Sequence, residues 1–71
     1  MAVGITMTIR EWLVLPEDKR PVAHYNSERV RRIYRDTTYL AEERYAVVCE
    51  NGFGYVNKKP EQVLVVVEER P

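Results

Sequence analysis

The stretch Ser27-Glu-Arg-Val-Arg-Arg-Ile-Tyr-Arg-Asp-Thr-Thr-Tyr-Leu-Ala41 decides how the rest of the chain is read. Val30, Ile33, Tyr34, Thr37, Leu40 and Ala41 recur at i, i+3, i+4, i+7, i+10 and i+11, which is one face of a helix. Arg31, Arg32, Arg35, Glu42 and Glu43 fall largely on the opposite face. Ser27 stands where an N-cap would, with Asn26 as the competing choice, and Glu28 is placed to meet the helix dipole. Glu28 can pair with Arg32, and Arg32 with Asp36, each four residues on. The segment Asp36-Thr37-Thr38 has poor helix propensity and marks a kink or a restart. A strand over residues 29–40 is the competitor, but its apolar residues do not alternate.

On either side the chain reads as strands. Residues 5–15 predict one long strand, with Ile5, Met7, Ile9, Leu13 and Leu15 on one face at period two and Glu11 interrupting it. Pro16 ends that strand, and Pro16-Glu-Asp-Lys-Arg-Pro21 is a charged loop. Downstream, Asn51-Gly52 separates Tyr45–Glu50 from Phe53–Asn57. This predicts an antiparallel hairpin closed by a two-residue type I′ turn, whose central residues need φ > 0. After the polar turn Lys58–Glu61, Val63–Val67 is a strand apolar on both faces. Such a strand lies centrally in a sheet or pairs with another chain, so a homo-oligomer through Val63–Val67 is one expectation. The order is β-α-β-β-β: an α+β, two-layer domain with one helix packed on a mainly antiparallel four-stranded sheet. The alternative is a small SH3-like β-barrel that lacks the helix.

A chain of 71 residues is one small domain. Its 11 acidic and 11 basic residues cancel, which argues against a general nucleic-acid or membrane binder. No apolar run reaches the length of a membrane span. One Cys and one His cannot assemble a metal cluster. Cys49, alone in an apolar strand, points to a reducing, cytoplasmic setting. The first residues lack the layout of a signal peptide, and Met7 offers a second start that would make residues 1–6 a flexible N-terminal extension.

Catalytic chemistry finds little to build on. His24 and Cys49 are a base and a nucleophile in type, but no glycine elbow or third orienting group accompanies them. Glu42 and Glu43 are adjacent, so on a helix they would diverge rather than form a facing acid pair. No P-loop or dinucleotide fingerprint is present. The expectation is therefore a non-enzymatic protein without cofactor or metal. Five tyrosines and one tryptophan accompany the arginines, and Tyr, Trp and Arg are the types enriched at protein–protein hot spots. Arg31, Arg32, Arg35, Tyr39, Phe53 and Tyr55 are the candidate partner-binding residues.

The segment Gly52-Phe-Gly-Tyr-Val56 resembles the core of the RNP1 motif of RRM and cold-shock RNA-binding domains. The resemblance implies that Phe53 and Tyr55 stack on bases while Arg31, Arg32 and Arg35 meet phosphates. It is confined to this short segment. Asn51 stands where those families prefer Lys or Arg, and Lys58 where they prefer an aromatic. Two functions follow. The first is a protein-binding module, acting as an accessory subunit or an inhibitor of a larger protein complex. In general profile it is similar to small viral inhibitors of host complexes, anti-CRISPR proteins among them. The second is a single-stranded RNA- or DNA-binding domain.

Overall fold

The computed structural model describes residues 4–38 and 40–66. Its elements, in chain order, are β1 (Ile5–Thr8), α1 (Ile9–Val14), a single 3-10 turn (Glu17–Lys19), β2 (Ala23–Tyr25), β3 (Glu28–Arg35), β4 (Tyr45–Cys49), β5 (Gly54–Lys58) and β6 (Val63–Val66). The strands form one antiparallel sheet in the order β1-β6-β2-β3-β4-β5. One helix packs on an antiparallel sheet, but that helix is α1, from residues read as strand, and the sheet has six strands rather than four. Its outer strands, β1 and β5, do not pair with each other, so it is not closed into a barrel either.

The largest correction falls on residues 27–41. The described residues among them form no helix: Glu28–Arg35 is the longest strand of the sheet. The cause is a bulge. Val30 pairs with Cys49 but Arg32 pairs with Val48, so one extra residue, Arg31, is inserted on β3. Ile33 then pairs with Val47. Val30 and Ile33 therefore face the same buried surface at a spacing of three, where an unbroken strand would need two. That spacing imitates a helical i, i+3 pair. The rest of the supposed apolar stripe is not covered, since Leu40 is 84% exposed.

The supposed N-cap has a different role as well. Asn26 and Ser27 have φ of 56° and 68°, between Tyr25 and Glu28, which pair directly. A two-residue loop with both central residues in the left-handed region is a type I′ hairpin turn. The hairpin expected at Asn51-Gly52 is present as β4–β5, but its loop is one residue longer. Gly52 donates to the Cys49 carbonyl at 3.0 Å, and Cys49 donates to the Phe53 carbonyl at 2.8 Å. With Gly52 at φ 96°, this is a three-residue loop ending in a left-handed glycine.

The long strand expected over residues 5–15 stops at Thr8 and turns directly into α1. Thr8 caps the helix: its hydroxyl accepts from the Glu11 amide at 3.0 Å, and the Glu11 carboxylate accepts from the Thr8 amide at 2.9 Å. This is a capping box, and it explains why Glu11 broke the alternation. The amides of Ile9 and Arg10 donate to the carbonyls of Gln62 and Pro60. The first N–H groups of this six-residue helix are thus satisfied by the chain that leads into β6. Ile5 and Thr6, within the stretch set aside as an extension, pair with Val66 and Val65.

The core is one cluster drawn from both halves of the sheet: Ile9 from α1, Ala23 from β2, Val30 from β3, Val47 and Cys49 from β4, and Leu64 and Val66 from β6. β6 lies inside the sheet, between β1 and β2. β1 pairs along one edge and β2 with Val65 and Val66 on the other, so β6 is an interior strand rather than a free edge. Val67 lies outside the described residues.

Candidate binding groove

Two hollows flank the bulge of β3. The larger, about 480 Å³, is lined by Trp12, Arg20, Arg29, Arg31, Arg32 and Tyr34 together with Glu17 and Glu50. The smaller, about 300 Å³, is bordered by Arg31, Arg32 and Val48. Arg31 and Arg32 line both. The bulge creates this ridge, because it places two consecutive residues of β3 outside the core where a regular strand would turn one of them inward.

The groove walls are held by identifiable bonds. The Trp12 indole N–H donates to the Pro21 carbonyl at 2.9 Å. The Arg20 guanidinium stacks 5.2 Å from the Trp12 ring centre and donates to the carbonyls of Leu13 and Leu15 at 3.0 Å each. Those carbonyls belong to the unpaired C-terminal end of α1, so Arg20 caps it and fixes the Trp12 wall. Arg29 pairs with Glu50 at 3.4 Å. Arg32 lies 4.8 Å from the centre of the Tyr34 ring. Neither Arg31 nor Arg32 has a carboxylate within ion-pair distance among the described residues. The pairs expected with Glu28 and Asp36 fail because residues four apart in a strand are separated by about 13 Å along it.

The remaining candidate residues divide. Arg35, at the end of β3, donates to the Glu42 carbonyl at 3.3 Å and is absent from both hollows. Tyr39 lies outside the described residues. Phe53 is 63% exposed at the β4–β5 turn. Tyr55 is half-buried opposite Val47, with its ring edge-on to Tyr25 at 5.0 Å and its hydroxyl accepting from the Asn26 amide at 3.2 Å. Phe53 and Tyr55 therefore sit in different surroundings. One ring is in water and the other is engaged at the edge of the core.

A second polar cluster braces the loop before β4. Glu43 accepts from the Tyr45 hydroxyl at 2.6 Å and from Arg10 at 3.0 Å, and Arg10 also donates to Glu61 at 3.0 Å. The hydrogen bond from Tyr45, then that from Arg10, holds the Glu43 carboxyl below its ordinary range. The same bond, followed by burial, raises the Tyr45 phenol. Cys49 is fully buried, and burial raises its thiol, opposite to the shift a nucleophilic thiolate needs. Among the described residues no cluster of His, Cys, Asp and Glu could hold a metal ion, and no helix is long and apolar enough to cross a membrane.

Sequence reasoning placed Arg31 and Arg32 on an exposed face but missed Arg20 as a groove residue. Nothing local marks Arg20, whose position depends on the fold of the loop around Pro16 and Pro21. No protein-family model matches the sequence, and neither the curated proteins nor the solved structures give a significant match.

Proposed function

We propose that this protein is a non-enzymatic binding module that docks on an acidic surface of a larger protein or protein complex, as an accessory subunit or an inhibitor. The observation that carries the proposal is the Arg31–Arg32 ridge, exposed and without carboxylate partners among the described residues, beside Trp12 and Tyr34. A chain of zero net charge gathers four arginines against two glutamates around this one hollow. Guanidinium groups pair bidentately with carboxylates, and Trp, Tyr and Arg supply most of the energy at protein interfaces. Local charge of one sign selects a partner of the other and speeds its approach. A reducing, cytoplasmic setting belongs to the same proposal and is supported by the free thiol of Cys49.

The test compares the wild type with the double variant R31E/R32E as bait in lysate of the native host, followed by titration of the recovered protein. Both positions are exposed, and circular dichroism checks that the variant is folded. A specific protein should be retained by the wild type, released by salt, and lost with R31E/R32E, while Phe53→Ala changes little. Equal recovery by both baits removes the proposal. Tight binding of a single-stranded oligonucleotide that weakens with Phe53→Ala would replace it with the nucleic-acid function.

A further inference from the structure

The two outer strands of the sheet differ in how they are protected. β5 carries the protections that free edges usually have. It has a register shift between its pairs with Tyr45 and Val47, a left-handed Asn57 at φ 61°, and the charged Lys58. β1 has none of these. Gly4-Ile-Thr-Met-Thr8 contains no charge and no proline. Its register with β6 is unbroken from Ile5↔Val66 to Thr8↔Val63, and no strand among the described residues pairs with its outer edge. A regular, uncharged, unpaired edge is a template for another strand.

We infer that β1 pairs antiparallel with β1 of a second copy of this chain, joining two six-stranded sheets across a two-fold axis at Thr6. The occupant is argued from pattern and charge. Met7 lies opposite the buried Leu64 and Ile5 opposite the buried Val66, so both sit on the inner face, while Thr6 sits on the outer one. With the axis at Thr6, Ile5 meets Met7 of the second copy, Thr6 meets Thr6, and Met7 meets Ile5. Apolar residues oppose apolar ones, hydroxyls oppose hydroxyls, and no like charges face each other, which a self-complementary interface requires. Ile5, 44% exposed at present, gains cover in the pair. A ladder this short gives a weak dimer, at the small end of specific interfaces.

Sedimentation velocity of the full chain from micromolar to millimolar concentration tests the inference, with circular dichroism to confirm folding. The wild type should shift reversibly from monomer to dimer. Thr6→Lys and Thr6→Glu, on the exposed outer face, should each weaken self-association by at least about tenfold through like charges on the axis. An equimolar mixture of the two should restore the dimer. Val56→Lys on β5, and R31E/R32E in the groove, should leave it unchanged. A wild type that stays monomeric at millimolar concentration overturns the inference. So does a dimer that survives Thr6→Lys, or a mixture that does not recover.

Discussion

Deleting Arg31 tests the bulge that sets the register of β3 and builds the arginine ridge. With that residue gone, Val30↔Cys49, Arg32↔Val48 and Ile33↔Val47 become consecutive pairs of a regular ladder. No apolar side chain changes face, so the burial contribution is unchanged. One residue fewer to order saves about 1–2 kcal/mol of backbone entropy, opposed by the loss of the extra twist a bulge supplies. The net change should lie within about 1 kcal/mol, or a shift in Tm of less than about 8 °C for a domain of this size. Deleting Val48 from the unbulged β4 is the matched control. It pushes Val47 or Cys49, both fully buried, off the inner face. At about 1.5–3 kcal/mol for each large aliphatic side chain, with further losses from broken pairing, that approaches the whole stability of a small domain. Thermal unfolding followed by circular dichroism reads both. In a helix, losing Arg31 would rotate everything after it by about 100° and scatter the apolar face. An Arg31 deletion that unfolds the chain, or costs as much as the Val48 deletion, refutes the bulge.

Other outcomes follow from particular contacts. Glu43→Gln should lower Tm at neutral pH, and the difference from wild type should vanish as pH falls. A carboxyl held below its unfolded value contributes stability above about pH 4.3, and that contribution is lost as pH drops through the lowered value. Stability should also decline as pH rises from the ordinary phenol value of about 10 through the raised value of Tyr45, because the unfolded chain ionises this group first; Tyr45→Phe removes that decline. Ser27→Gly should stabilise by up to about 1 kcal/mol, because glycine adopts the left-handed conformation without steric cost. At a helix N-cap the same change would cost a few tenths of a kcal/mol instead. Equilibrium denaturation of the two proteins separates these signs.

The hairpin at Asn51-Gly52 and the strand at Val63 were legible because each has strong local chemistry: a turn pair that tolerates φ > 0, and a run of branched aliphatics. The middle of the chain was not. Val30 and Ile33 are three apart for a tertiary reason, the extra residue on β3, and a periodicity count cannot tell that from a helical step. Two local signals were present but outweighed. Thr8-Ile-Arg-Glu11 spells a capping box, yet alternating apolar residues run through it. Asn26 before Ser27 fits a type I′ turn as well as a helix start, and only the pairing of Tyr25 with Glu28 decides. Exposure of Arg31 and Arg32 was foreseen on the wrong element, since both helix and strand leave them in water. The contact that covers the Tyr55 ring comes from Tyr25, which belongs to another strand and left no local trace.

The position of β6 has a consequence for how the protein is made. β1 and β2 never touch each other through a ladder; each waits for Val63–Val66, more than forty residues further along the chain for every pair. On the ribosome, the β2–β5 meander can assemble as it emerges, while β1 and its helix remain without a seat until the keystone strand arrives. Such distant pairing slows folding, and it leaves the uncharged edge of β1 open during the delay. A nascent chain stalled before Val63 would display β1 without a partner and one edge of β2 open, and should be a better substrate for chaperones and proteases than any variant discussed above.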